Sequence, residues 1–490
     1  MEIDELTAAE RRVWEAFPDG TEVDFRRTPD ENPADGTGGA DWGPERTVRA
    51  RVLRSLLLDG PVRAGEIPVL KIVGARITGK LDLKYATIDH AVELKHCHFT
   101  DGPALYDFRV RQLNLRGSVL PGLHAARLQV DGVLRLTDCR ITHQVRLGGA
   151  RIAGALFLDG AHLTSSDTSE PVLQLNQVTI GDALWAPGLR VEGETRLESA
   201  TVTGSVMLRD ARFENPGATA LQARTLTLDA DLQAGCLVAR GMLDLRGARI
   251  PGQLNLSYAR LSHPEGMALR VSSAVLGELW LREPEGIEGA LNLRRARVDA
   301  LHAAPEVWPG ELNLDGLTYT ALTPHAPAAR RLAVLERDSD GYVPYAYEQL
   351  AAAYRRVGDE RAARTVQLAK LRRHRGTLPW YRRLWGQVQD ATVGYGFRPL
   401  RAAGWLLSLL AVGSVVFGLH PPAALKPDEA PPFNPVFYTL DLMLPVISFG
   451  QEAAFAAAGW YQALSYGLTL TGWILATTVL AGITRAVSRQ

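Results

Sequence analysis

The chain has 490 residues with 54 basic and 54 acidic side chains, so its formal charge is zero at neutral pH. That length calls for more than one compact core, and the balanced charge argues against a broad nucleic-acid-binding surface. Three scattered cysteines, Cys97, Cys139 and Cys236, form no CxxC motif and fit a reducing compartment rather than a disulfide framework or a structural zinc site.

The N-terminal stretch MEIDELTAAERR is polar and lacks an apolar signal core, so the first 390 residues are expected to stay unsecreted. Thr7 with Glu10 three residues on makes a capping box for a helix over about Ala8–Phe17. Residues 28–43, rich in Gly, Pro and Asp, predict a loop. Pro44 then opens a second helix whose Val48, Val52 and Leu56 share one face, ending near Asp59-Gly60. Together residues 1–62 predict a helical cap on the adjoining repeat array.

From Ile72 to about residue 322 the sequence repeats itself as L-x-L-x-x-A-x-I-x-G. Leu81, Leu83, Ala86 and Ile88 are followed eleven residues on by Val92, Leu94, Cys97 and Phe99. The same pattern returns at Leu134/Leu136/Cys139/Ile141, Val145/Leu147/Ala150/Ile152 and Leu156/Leu158/Ala161/Leu163, and later at Leu245/Ala248/Ile250 and Leu293/Ala296/Val298. Local alternation of two means strand, and the Gly or Ala breaks mean corners. Strands this short do not make a sandwich. Stacked coils of about 22 residues accommodate them, as a right-handed quadrilateral parallel β-helix over residues 63–322. Stretches 101–131 and 216–242 interrupt the pattern without destroying the alternation, kept at Leu113 and Leu115 and at Leu226 and Leu228. Cys97 and Cys139 stand at the Ala position and are expected to fill core. Arg76, Arg151, Arg212, Arg249, Arg260 and Arg297 precede inward apolar residues and are expected on a solvated face with interspersed acids, a basic stripe being the alternative. Histidines 90, 96, 98, 124, 143 and 162 are scattered; no catalytic or metal-binding constellation emerges, and no cofactor is expected.

After Leu322 the period lengthens. Ala346–Val357 and Asp359–Arg373, broken at Gly358, predict a helix pair in a neck over residues 323–390.

The last hundred residues, 391–490, predict a membrane unit. Ala402–Leu419 and Ala463–Ile483 carry no charge and are long enough for two spans, about 402–419 and 463–483. Arginines crowd before the first span (Arg382, Arg383, Arg398, Arg401) and after the second (Arg485), which puts both termini on the cytoplasmic side of an inner membrane. Trp380, Tyr381 and Trp385 suit the interface beside them. Between the spans, residues 433–452 predict a short re-entrant helix: Pro435 at its start, Leu440–Leu444 as its body, then an extended return through VISFGQE. Asp441 is the ionisable residue there and with Ser448, Phe449, Gly450, Gln451 and Glu452 forms the candidate site.

Three resemblances accompany this reading. The repeats resemble the pentapeptide-repeat fold, with a longer period and without its regular A-[DN]-L-x-x register. The order of span, pore helix, glycine-containing return and span resembles the two-helix pore domain of potassium-type channels. In place of the T-V-G-[YF]-G filter stands Ile447-Ser448-Phe449-Gly450-Gln451, sharing one glycine and the aromatic. Segments such as YEQLAAAYRRVGDERAAR, QDATVGYGFRPLRAAGWLL and FNPVFYTLDLMLPVISFGQE resemble, over essentially the full length, a bacterial solenoid-plus-two-helix membrane family often labelled membrane-associated oxidoreductase. That label implies electron transfer. The residues themselves predict a membrane-anchored scaffold or sensor without catalytic activity, with an oligomeric ion channel as the alternative. The expected partners are the lipid bilayer, further copies of the chain and a cytosolic protein on the solenoid, but no nucleic acid.

Overall fold

The structure is a computed structural model that describes residues 5–28, 30, 31, 33, 39–167, 169–282, 286–377, 399–426, 429–444 and 447–487. Within these, side chains are described for all but residues 375, 377, 399–402 and 476–487. The chain divides into two compact units, Met1–Ala353 and Tyr354–Gln490.

The first unit is a parallel β-solenoid of about 11 turns. One coil shows how the sequence builds it. Leu134–Arg135 and Arg151–Ile152 lie in one sheet, Arg140–Ile141 and Val145–Arg146 in the other, so each coil turns four corners. Coils stack in register: Leu134 pairs with Leu156, then Leu184, Val206, Leu232, Leu254, Leu279 and Leu301 in succession. Leu134 to Leu156 is a step of 22 residues, as the repeat predicted. Every residue of these inward stacks is buried, at about 1.5–3 kcal/mol for each large aliphatic side chain.

The corners have a stereochemical cause. The N–H of Cys139 donates to the Leu136 carbonyl across Asp138, whose φ is +54°, and the N–H of Ala150 donates to Leu147 across Gly149 at +67°. A bond between residues three apart with positive φ at the third is a type II turn. The left-handed residue thus stands just before the repeat's Ala. Cys97 and Cys139 fill that Ala position, fully buried, as predicted.

Through 101–131 the alternation holds, as expected: Leu113 and Leu115 are buried, and Leu113 pairs with Leu134. Ser118 takes the Ala position with its hydroxyl donating to the Leu94 carbonyl at 2.8 Å and accepting from the Cys97 N–H at 2.9 Å. Phe108 and Leu128 take it elsewhere, both buried. The corner accepts large side chains, so a motif built on Ala misses those coils. From Arg212 onward strands run on through corners, as in Arg212–Gln222 and Arg260–Arg270, with register shifts that push the chain outward. The first of these overlaps the stretch 216–242, where the motif was read as interrupted and where Leu226 and Leu228 stay buried as expected; the second was not foreseen.

At the N-terminal end, helix α1 (Ala8–Ala16) carries the predicted capping box. Glu10 is buried, and its carboxylate accepts from the Arg49 N–H at 3.0 Å and from Arg49 Nε at 2.6 Å. Burial pushes its pKa up, but these bonds and the Thr7 N–H outweigh it and hold Glu10 below the usual range. The second predicted helix is shorter than expected. Pro44–Arg46 is a single 3-10 turn, Thr47–Arg49 is a strand paired with Arg76–Thr78, and only Ala50–Asp59 is helix α2. Val48 sits opposite Ile77 as a first rung, and this ladder overrides helix propensity.

At the other end, an unpredicted helix α3 (Ala328–Leu335) covers the last coil. Arg331, buried there, donates to the carbonyls of Ala303 and Pro324 at 2.6 and 2.7 Å. Helix α4 (Pro344–Arg356) comes next, and the division between the units falls within it.

The second unit begins after that division. Gly358 takes φ +81° before helix α5 (Glu360–Thr377), so both predicted helices are present with the break between them in place. Then come α6 (Pro399–Leu419), α7 (Pro435–Met443), the single turn α8 (Gln451–Ala454) and α9 (Trp460–Val487). Among the described residues no helix is long and apolar enough to cross a membrane. The apolar helices nevertheless cover both predicted spans, 402–419 and 463–483.

Candidate functional site

The predicted site lies where α7 gives way to the return. Asn434 and Pro435 set the start of α7: Pro occupies the first turn, and the Asn434 side chain accepts from the N–H groups of Val436 and Phe437 at 3.0 and 3.3 Å. The helix ends at Met443.

Asp441 is only 4% exposed. Its carboxylate accepts three backbone N–H groups of the return: Phe449 at 2.6 Å, Gln451 at 2.8 Å and Glu452 at 3.0 Å. Three backbone N–H groups converging on one buried carboxyl make Asp441 the pin of the turn. The Ser448 hydroxyl accepts from the Gly450 N–H at 3.2 Å. Gly450 takes φ +79°, and Gln451 then begins a helical turn. The return is therefore not extended throughout, as the sequence predicted; the glycine reverses it and a short helix begins.

Gln451 fastens the other side. Buried, it accepts from the Asn434 N–H at 3.1 Å and donates to the Pro432 carbonyl at 3.2 Å. So Asp441, Ser448, Phe449, Gly450, Gln451 and Glu452 do come together. Asp441 and Gln451 face the protein, while Ser448, Phe449, Gly450 and Glu452 are exposed.

Two close approaches hold α7 between its neighbours. A Cβ on Gly413 of α6 would collide with the Thr439 side chain, and one on Gly472 of α9 would meet the Met443 backbone at 2.7 Å. Phe417, Tyr438, Leu442, Met443, Phe455 and Leu468 form the core around them. The sequence reading missed Gly413, Gly472 and Asn434. Asn-Pro before an apolar run is a legible helix start; a lone glycine in an apolar helix gives no such signal.

Of the predicted interface residues, Trp380, Tyr381, Arg382, Arg383, Trp385 and Arg398 lie outside the described residues. Arg401 falls in α6 and Arg485 in α9.

On the solenoid the six outward arginines split between two sheets. Arg76, Arg212 and Arg260 stand on one, Arg151, Arg249 and Arg297 on the other, so they form no single stripe. Ion pairs with acids fall at other arginines: Arg224 and Arg246 both reach buried Asp244, and Arg196 pairs with Glu194 at 2.8 Å. A different ladder is apolar, with Phe157, Trp185 and Met207 side by side on consecutive coils and Arg135 over the Phe157 ring at 4.2 Å. An acidic cleft of about 350 Å³ opens among Asp231, Gln253, Glu278 and Asp299. Among the described residues no group of three His, Cys, Asp or Glu could hold a metal ion. Burial and neighbouring Arg26 and Arg116 depress the pKa of His96, and burial with Arg76 depresses that of His98.

The fold and this site together define a parallel β-solenoid chain with a separate helical unit built around a pinned return. No family model, curated protein or solved structure matches it.

Proposed function

We propose that this chain is a non-enzymatic scaffold or sensor, fixed in a membrane by α6, α7 and α9 and presenting its solenoid to a cytosolic partner. The observation that carries the membrane reading is the inverted polarity of the helical unit. Leu407 and Leu470 are each 67% exposed and Leu419 72%, with Val412, Val415, Trp460, Tyr466 and Trp473 also at the surface. Asp441 and Gln451 are inside. Large exposed apolar surfaces are rare on soluble monomers, whereas small residues at helix contacts, as at Gly413 and Gly472, are usual between helices in lipid. The arginine distribution orients both termini to the cytoplasm. The coil is taken as right-handed, as crossovers between parallel strands nearly always are.

Washing membranes of expressing cells with alkaline carbonate tests the attachment. Retention in the pellet is expected; release with peripheral proteins would refute it. For the scaffold role, the Phe157, Trp185 and Met207 ladder is the surface we assign to the partner. A photoreactive residue at Met207 should give one discrete adduct in cells that Trp185→Ser abolishes.

One observation favours a second reading, an oligomeric ion channel. Side chains take up the N–H groups of 449–452, which leaves the return rich in acceptors beside Glu452. Current through wild-type protein in planar bilayers, reduced by Asp441→Ala, would favour the channel; a silent wild type would leave the scaffold.

A further inference from the structure

Helices α3 and α4 close over the last coil of the solenoid, and beneath them lies a cavity of about 30 Å³. Its wall is Leu301, Leu314 and Leu317 on the coil side and Val334, Leu335 and Leu350 on the helix side, all at most 8% exposed. Leu322 and Gln349 are only partly buried and form the mouth. All of these residues belong to the first unit, so the cavity stands apart from the membrane reading.

One member of the wall is out of keeping with the leucines. Trp308 is 6% exposed, and its indole N–H has no acceptor among the described residues. A buried donor without an acceptor carries its full desolvation penalty. The surrounding backbone is fixed: Arg337 donates to the Trp308 carbonyl at 2.7 Å, and buried Asp338 accepts the Leu314 N–H at 2.9 Å. Gln349 donates to the Tyr319 carbonyl at 3.2 Å and ties α4 to the coil. Arg331, held by the carbonyls of Ala303 and Pro324, brings a positive charge to the same lining.

Water fits this space by size, since one molecule takes roughly 10–15 Å³, but it needs about two to four polar partners and this wall is almost wholly apolar. A plain hydrocarbon would suit the leucines and leave the indole N–H stranded. We propose that the cavity is a binding site for a small, mostly apolar molecule bearing one carbonyl oxygen. Trp308 donates to that oxygen, the leucines cover the carbon skeleton, and any remainder lies in the mouth by Leu322 and Gln349. An apolar pocket with a few fixed polar groups is the usual form of a small-molecule site. On the sensor reading above, this is the class of molecule sensed.

Fluorine NMR of the full chain carrying fluorotryptophan tests this, with the Trp308 signal assigned by its loss in Trp308→Phe. Butanone should shift that signal saturably. It should bind about ten-fold tighter than methylbutene, the alkene of the same shape without the acceptor, which is the worth of one hydrogen bond. Trp308→Phe should bind the two equally, read by saturation transfer to the ligand. Ala346→Leu fills the cavity from α4 and should abolish the shift while the other tryptophan signals stay in place. Leu317→Phe fills it from the coil and serves if Ala346→Leu does not fold. No saturation with butanone, equal affinity of the wild type for both ligands, or a shift that survives the filled cavity would each overturn the site.

Discussion

The two units place the same kinds of residue on opposite sides. In the solenoid, Leu134, Leu156 and Leu184 point inward and arginines such as Arg151 and Arg249 outward. In the helical unit, Leu407, Val415 and Leu470 are outside, while Asp441 and Gln451 are within. Burial of apolar area drives folding only against water. Where lipid is the surroundings, polar groups become the ones that must find partners, and packing falls to small residues. On the membrane reading proposed above, one rule with two solvents would account for both units, and that can be broken experimentally.

The largest effect is expected from placing a charge in each unit's apolar stack. Leu254→Asp puts an unpaired carboxylate between coils and should abolish cooperative unfolding of the solenoid, read as loss of protection in amide exchange across 230–280. Leu470→Asp, on an exposed helix face, should leave the solenoid's exchange unchanged and instead lower the membrane-retained fraction. Equal damage to the solenoid from both would erase the contrast.

Next comes the pin. Asp441→Ala strands three N–H groups and should cost the helical unit about 3 kcal/mol or more. Limited proteolysis should then open the segment near Phe449 before any site in the solenoid. Asp441→Asn, with one acceptor left, should fall between. Smaller again, Gly472→Val forces a side chain against the Met443 backbone and should cost about 1–3 kcal/mol, visible as a lower unfolding midpoint in detergent.

The solenoid offers two milder tests. Glu10 has its pKa depressed in the folded state, so its contribution is present above the ordinary glutamate value of 4.5 and fades as pH falls through the folded value. Protection factors of the amides over residues 5–60, taken against the intrinsic rate at each pH, should fall as pH drops below 4.5, and Glu10→Gln should lose that dependence. The smallest effect concerns thiols. Burial pushes Cys97 and Cys139 up to about 12, so at pH 8 iodoacetamide should modify Cys236, which is only partly buried, and spare the other two.

How much of this was legible in the sequence depends on whether a residue's role is periodic. The inward stacks were readable because Leu134, Leu136, Ile141 and Val145 recur at fixed spacing, and so was the step of 22 residues. The coil through Phe108 and Ser118 was not, because the turn needs a left-handed residue and tolerates almost any side chain after it. Helix α2 was overextended because Val48 alternates as well in a strand as it repeats in a helix; only its partner Ile77, distant in sequence, decides. At the return, Asp441 was legible as an ionisable group out of place. That it caps Phe449, Gln451 and Glu452 was not, since nothing in the spacing tells a free carboxylate from one turned onto backbone.

The corners of the solenoid carry a further consequence. Leu156 and Leu184 pair directly although 28 residues separate them, against 22 between Leu134 and Leu156. The extra length is absorbed in the excursion around 165–171, and the rungs on either side keep their register. Coil length and coil alignment are thus independent. A foreign peptide spliced at that bend would ride on the outside of a rigid rod at a known height, so the molecule comes with its own grafting position for displaying an epitope or a tether.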